Sequence, residues 1–228
     1  MIAVSDLAAH PYRTAADIER LRADLDDVPA ERIWIVPYPG TATEEDCVKA
    51  VESKLCQLVE LVDGTLVEKT VGYQEAMMAM WIASFVMKFV RERNLGIMLG
   101  ADGMHRMAGG NIREPDFAFI AWSDLPDQRL PAGKVIPSAP TLAVEVLSES
   151  NTAKEMRTKR QEYFASITRQ VWQIDLKTRT IDVFSAPETF VHLTTADTLD
   201  GGDVLPGFRL PVAEVFAVLD QTGPDADA

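Results

Sequence analysis

The sequence predicts an α/β to α+β protein, a mixed β-sheet flanked by helices and entered through a hairpin. Three stretches predict it. Residues 140–175 read as strand, helix and strand in succession. Residues 56–70 carry two strand-like runs joined by Asp63-Gly64, a pair that tolerates positive φ and marks a tight hairpin. Residues 72–94 form one long, very apolar helical stretch. Such elements bury their apolar faces by layering helices on a sheet. A chain of 228 residues has room for a sizeable core. The expected division is a helical N-terminal extension over 1–55, a docking or oligomer element, followed by one domain over 56–217 and a disordered tail over 218–228.

Residues 1–13 are expected to be loose. Thr14 with Asp17 has the spacing of a capping box, and the following ADIERLRADL reads as an amphipathic helix that Pro29 ends. Ile33–Val36 reads as a strand closed by Pro37 and Pro39. Thr43 with Asp46 caps a helix running to about Lys54. After the hairpin and the long helix, Asn94 and Gly96 act as stop signals. Short strands are expected at 97–99 and 104–107, and Asp116 opens another, DFAFIAW. Pro126, Pro131, Gly133 and Pro137 make 123–139 a loop. Leu142–Leu147 is a short apolar run of the kind that forms a buried strand. Ser148, Ser150, Asn151 and Thr152 then offer N-caps for a helix from 153 to about 167, and Gln170–Ile174 is the next strand. Strands at 180–184 and 189–193, a turn at Asp200-Gly201-Gly202 and a short closing helix in PVAEVFAVL complete the chain.

The chain is 47% apolar and 25% charged, ordinary values for a globular protein. Its net charge of −13 argues against a general nucleic-acid binder, which needs clustered Lys and Arg, but leaves room for a local basic cleft. No apolar run is long enough to span a bilayer, and the first residues lack the charged and apolar regions of a signal peptide, so a cytoplasmic location is expected. Cys47 and Cys56 have no partners at zinc-ligand spacing and read as reduced thiols.

The candidate site consists of carboxylates and one lysine. Glu145 stands inside a buried strand, where a carboxylate is costly unless it is paired or binds a metal. Lys159 shares a helix face with Met156 and Tyr163, so a face packed on the sheet aims its ammonium towards Glu145. Asp116 opens a strand behind Pro115, and Glu75 opens the long helix. Two carboxylates on neighbouring strands can share a hard cation such as Mg²⁺ or Mn²⁺. Each residue also has a plainer reading. Asp116 can pair with Arg113, Glu145 and Lys159 can be a buried structural pair, and Glu75 can be a solvated carboxylate favoured by the helix dipole. Tyr163 and Trp172 read as core, and His10, His105 and His192 are too scattered to assign. Arg157, Arg160, Arg169, Lys177 and Arg179 read as a solvated face or, alternatively, as the rim of a phosphate path.

Taken together, ELVDGTLVEK at 60–69, REPDFAFI at 113–120, LAVEVLSESNTAKEMRTKRQEYF at 142–164, VWQID at 171–175 and DTLDGGDVLPGF at 197–208 resemble the Uma-two family. That is a bacterial group with a restriction-endonuclease-like fold of the PD-(D/E)XK type, and the resemblance covers about residues 56–217. It implies a divalent-metal nuclease core. Asp116 falls at the Pro-Asp position and Glu145 at the (D/E) position, while the motif lysine would fall on Leu147. The resemblance implies that Lys159 on the following helix supplies it instead, with Glu75 as the helical acid. Many members of the group carry a histidine after the hairpin, where GYQEAMM has none. Glu60 and Asp63 read mainly as turn and framework residues.

Two functions follow. In the first, the protein is a Mg²⁺-dependent (or Mn²⁺-dependent) endonuclease acting on DNA. Asp116, Glu145 and the Val146 carbonyl hold the metal, and Lys159 orients the attacking water and stabilises developing charge. In the second, it is a non-catalytic binding or assembly protein that keeps the fold, a reading the acidic balance and the Met-rich helix favour. Geometry separates them. The enzyme needs Asp116 and Glu145 close enough to share a cation, with Lys159 beside them in an open cleft. A homodimer is expected, because nuclease folds of the resembled type often pair and the long apolar helix needs a partner surface. Like-charge repulsion between Asp116 and Glu145 further predicts that Asp116→Asn stabilises the metal-free protein.

Overall fold

The computed structural model describes residues 14–53 and 58–222. The expectations for 1–13, Cys56 and the last residues of the tail lie outside them. The main sheet has six strands: β3 (Gly96–Leu99), β6 (Phe117–Ala121), β8 (Leu142–Leu147), β9 (Gln170–Asp175), β10 (Thr180–Ala186) and β11 (Thr189–Leu193). Their order across the sheet is β11-β10-β9-β8-β6-β3. Only β8 and β9 pair in parallel, joined through the helix α4 (Ala153–Ala165), and every other neighbouring pair is antiparallel.

Alternation along β8 sorts its side chains onto two faces. Leu142, Val144 and Val146 join the core beneath the long helix α3 (Tyr73–Arg93), where Met78, Ile82, Val86 and Val90 meet Phe117, Trp172 and Phe216. Ala143 points the other way, to the cluster of Tyr163, Val171 and Phe184 beneath α4. The same alternation places Glu145 on the α4 side.

A second sheet lies over that side. It runs β2-β1-β5-β4-β7, built from β1 (Val59–Val62), β2 (Thr65–Glu68), β4 (Met104–Arg106), β5 (Ile112–Arg113) and β7 (Val135–Ile136). Asp63 and Gly64 both take positive φ in the β1–β2 turn (47° and 72°), as their sequence predicts. The preceding helices cover this sheet. Leu21 of α1 (Ala15–Asp24) and its C-cap Leu25 pack on Ile33, Val62 and Val67, and Cys47 and Ala50 of α2 (Glu44–Glu52) pack on Val59, Leu61 and Ile112. Capping boxes start three helices, at Thr14 with Asp17, Thr43 with Asp46 and Thr152 with Glu155. Asn94 ends α3 in the left-handed conformation. Among the described residues no helix is long and apolar enough to cross a membrane.

Several local expectations change. Residues 33–36 form no strand. A short 3-10 turn at Ala30–Arg32 leads to a single bridge between Ile33 and Val67, and Ile35 and Val36 lie exposed before Pro37. The loop at 123–139 contains β7, a two-residue strand too short to show periodicity, paired in parallel with β4. The turn around Gly201 is enclosed by a small ladder of β12 (Thr198–Asp200) and β13 (Arg209–Pro211). The closing helix α5 (Val212–Phe216) continues as a 3-10 turn through Asp220, with Val218 buried and Asp220 paired to Arg179 at 2.6 Å, so order runs past the expected boundary at 217.

Candidate active site

Where the hairpin sheet meets the main sheet and α4, the chain buries a set of charged groups. Glu60 comes from β1, and Lys69 from the residue after β2. Arg113 ends β5, Glu114 and Asp116 lie in the link from β5 to β6, and Glu145 is in β8. Lys159 and Tyr163, one helical turn apart, project from the face of α4 that packs inward. Asp116, Glu145 and Lys159 retain only 5%, 3% and 1% exposure, so partners must offset a large loss of hydration.

Those partners are present. Asp116 Oδ2 accepts from the Val146 N–H at 2.6 Å, and Glu145 Oε1 accepts from the Tyr163 hydroxyl at 2.7 Å. Each carboxylate is thereby oriented by one neutral donor and turns its other oxygen to a common point. The Lys69 ammonium occupies that point, 2.9 Å from Asp116 Oδ1, 3.3 Å from Glu145 Oε2 and 2.6 Å from the Glu114 carbonyl oxygen. Lys159 lies beside the pair, 3.7 Å from Glu145 Oε1, and donates to Glu60 Oε1 at 2.9 Å. Glu60 in turn holds Arg113 at 2.9 Å, and Arg113 also pairs with Glu162 at 2.6 Å. Three buried carboxylates (Glu60, Asp116, Glu145) thus meet three buried cations (Lys69, Arg113, Lys159).

The balance of charge sets the titration of the group. Burial pushes the Glu60 carboxyl up, but Lys159, Arg113 and Lys69 outweigh it and hold Glu60 well below its ordinary value. Burial works against the Lys69 ammonium, yet Asp116, Glu145 and Glu60 keep it charged to higher pH than an ordinary lysine. Glu114 goes the other way. Burial and the nearby Glu60 raise its pKa to about 8. Burial likewise raises the Tyr163 phenol, and Glu145 and Glu60 add to the shift, so Tyr163 acts as a donor at every ordinary pH.

Four of the five residues singled out in the sequence therefore lie in one cluster: Asp116, Glu145, Val146 and Lys159. Val146 meets it through its N–H. Glu75 stands apart. Its carboxylate folds back against Gly72, where a Cβ would collide with it, and it makes no hydrogen bond or ion pair among the described residues. It lines a cavity of about 1000 Å³ together with Thr70, Leu147, Ser148, Arg157 and Lys177. Thr70 follows Lys69 and Leu147 follows Val146, so this cavity begins one residue from the cluster.

No group of three or more Asp, Glu, His or Cys side chains is placed to hold a metal ion among the described residues. A hard divalent ion does not require one, since Mg²⁺ commonly takes one or two carboxylates and fills its remaining positions with water and substrate oxygens. The donor set around Lys69 Nζ, two carboxylate oxygens and a main-chain carbonyl, has that chemistry, and the ammonium is itself a cation standing in it. The residues fit the ion once the ammonium is out of its place.

Glu60, Lys69, Arg113, Glu114 and Tyr163 also belong to the cluster; of these the sequence offers only Arg113, as a partner for Asp116, and Arg113 pairs with Glu60 and Glu162 instead. For Glu60 a signal existed. It is a lone carboxylate in the apolar run VELV, the same anomaly that draws attention to Glu145 in LAVEVL. Lys69 ends a hairpin strand and carries no such mark.

A family model described as "Uma2: Putative restriction endonuclease" matches residues 53–213. Among solved structures the fold is similar to a protein from Anabaena variabilis ATCC 29413, described as a "putative nuclease belonging to DUF820". The TM-score is 0.63 at 16% identity, over 71% of this chain and 90% of that one. None of the curated proteins matches the chain.

Proposed function

The chain belongs to the Uma2 family, and on that premise we propose that it is a divalent-metal-dependent endonuclease hydrolysing phosphodiester bonds of DNA. The observation that carries the proposal is the convergence of Asp116 Oδ1, Glu145 Oε2 and the Glu114 carbonyl on one cation position. Asp116 and Glu145 would hold Mg²⁺ or Mn²⁺ there, helped by a main-chain carbonyl, Glu114's in this arrangement and Val146's in the sequence reading. Such an ion polarises a phosphoryl oxygen and lowers the pKa of a bound water.

The remaining roles belong to the chain itself. The Val146 N–H and the Tyr163 hydroxyl fix the two carboxylates, as outer groups do around metal ligands. Lys159, held in place by Glu60, supplies positive charge for the phosphoryl group as negative charge develops on it. The phosphate enters from the neighbouring cavity, where it draws Arg157 and Lys177 from Glu188 and Glu149, their present partners at 3.5 and 2.8 Å. Glu75 faces this cavity and would meet the substrate rather than the ion. The homodimer expected from the sequence belongs to the same proposal, with exposed Tyr73, Met80 and Met87 of α3 as its surface, and sedimentation tests it.

One observation favours a second reading, a non-catalytic binding protein with a nuclease-like fold: Lys69 already neutralises the acid pair, and the pair is buried rather than open to a cleft. Calorimetric titration with Mn²⁺ decides between the two readings. Wild type, Asp116→Ala and Glu145→Ala are compared after circular dichroism shows that all are folded. Saturable binding lost in both variants, together with Mn²⁺-dependent cleavage of a DNA duplex, is the expected result. Absence of both in the wild type would leave the second reading.

A further inference from the structure

The proposed metal position already holds a positive charge supplied by the chain. Lys69 Nζ takes the three oxygens that face inward, and the other oxygen of each carboxylate is tied to a neutral donor. A divalent ion and an ammonium repel strongly at such separations in a buried setting, so they do not share these oxygens. Glu60 does not need Lys69, because Lys159 and Arg113 contact it directly. The ammonium also has somewhere to go. Lys69 follows the last residue of β2, its neighbour Thr70 borders the large cavity, and the four-carbon stem gives the head group reach.

We propose that Lys69 is a tethered cation that occupies the divalent-ion position and must withdraw towards the cavity before an ion binds. The chain thus carries its own competitor for the metal, which closes the site while metal is absent. This rests on the reading of Asp116 and Glu145 as the groups that hold the ion.

The test titrates full-length wild type, Asp116→Asn, Lys69→Met and the Lys69→Met/Asp116→Asn double variant with Mn²⁺ by calorimetry, with thermal melts at each ion concentration. Lys69→Met is expected to bind Mn²⁺ at least ~10-fold more tightly than wild type, since the ion no longer displaces a charge that neutralises its ligands. Its melting temperature should rise more with the ion, and the double variant should lose both gains. Equal affinity in wild type and Lys69→Met, lost in both Asp116→Asn proteins, would overturn the tethered cation and leave the metal site standing. No binding in wild type or Lys69→Met would overturn both. If Lys69→Met does not fold, the wild type decides through acylation of its lysines mapped by mass spectrometry. Lys69, shielded without metal, should become reactive as Mn²⁺ saturates, and an unchanged yield at saturation would overturn the proposal.

Discussion

Glu114 should make the protein's stability fall as pH rises, and replacing it with Gln should remove that dependence. Its side chain is buried, its carboxyl oxygens accept no hydrogen bond among the described residues, and the nearby Val59 backbone opposes the upward shift without cancelling it. Burial first, and Glu60 second, lift its pKa from an ordinary 4.5 to about 8. Between those values the folded protein holds a proton that the unfolded chain has released, so raising the pH through this window favours unfolding. The slope from one such group is about 1.4 kcal/mol per pH unit, or roughly 2–3 kcal/mol between pH 5 and 7. Gln keeps the shape and cannot ionise, and any cost of its buried amide is the same at every pH. The stability of Glu114→Gln minus that of wild type should therefore grow by roughly 2–3 kcal/mol from pH 5 to 7, about 5–10 °C in Tm for a chain of this size. Taking the difference cancels other titrating groups, notably His105. Burial lowers its pKa to about 4, so its contribution runs oppositely and is lost as pH falls from 6.5. Urea unfolding of both proteins at several pH values measures the difference directly, and a flat difference would refute the account of Glu114 as a carboxyl held neutral by burial.

Asp116→Asn, expected from like-charge repulsion to stabilise the metal-free protein, should instead destabilise it, because Lys69 stands between the two acids; a cost of about 2 kcal/mol or more in urea unfolding is anticipated. Arg32→Met removes both hydrogen bonds that Arg32 makes to buried Glu155, at 2.7 and 3.1 Å, and should cost about 3–5 kcal/mol in the same assay. Gly64→Ala forces a left-handed conformation on alanine, costing about 1–2 kcal/mol before any collision with the Gly40 main chain, which a Cβ would approach to 2.7 Å; a thermal melt reads the sum. Glu75→Gln should leave Mn²⁺ affinity within about twofold by calorimetry, since no contact joins Glu75 to the acid pair.

The parts of the fold that were legible in the sequence are those whose signals are local. A capping box needs only two residues three apart, and all three helices that begin with one start where the sequence places them. Asp63-Gly64 specifies its own turn through backbone conformation alone. The failures lie where a partner decides. Ile33–Val36 has the composition of a strand, but only Ile33 and Trp34 reach β2, through one bridge to Val67 and one hydrogen bond to the Leu66 carbonyl, and Ile35 and Val36 then lie exposed. Val135 and Ile136 are too few to show alternation, and become a strand because β4 lies alongside.

The site divides in the same way. Glu145 was visible as a charge inside an apolar strand, and Lys159 as a charge on an apolar helix face, because each contradicts the local pattern around it. Glu60 contradicts its strand equally, but the strong hairpin signal around Asp63-Gly64 supplied a structural reason for the whole segment and hid the anomaly within it. Lys69 contradicts nothing locally. Its significance depends on the crossing of two sheets that the sequence gives no means to superimpose.

That crossing also gives residues 14–52 a role that the family match, beginning at 53, does not include. Arg32 reaches across to Glu155 with two hydrogen bonds, and burial, which would raise the Glu155 carboxyl, is outweighed by Arg32 together with Lys159, so the acid stays charged. The Thr152 hydroxyl donates to the Asp26 carbonyl at 2.7 Å, and Lys154 Nζ to the Ala23 carbonyl at 2.6 Å. All three contacts fall on the first turn of α4 or its cap, one to two helical turns before Lys159. A helix is stiff over that distance, so tying its start also fixes the register in which Lys159 and Tyr163 meet Glu60 and Glu145. The N-terminal segment is therefore joined to the helix that carries part of the candidate site, and loosening Arg32 should disturb the acid pair from a distance as well as lower stability.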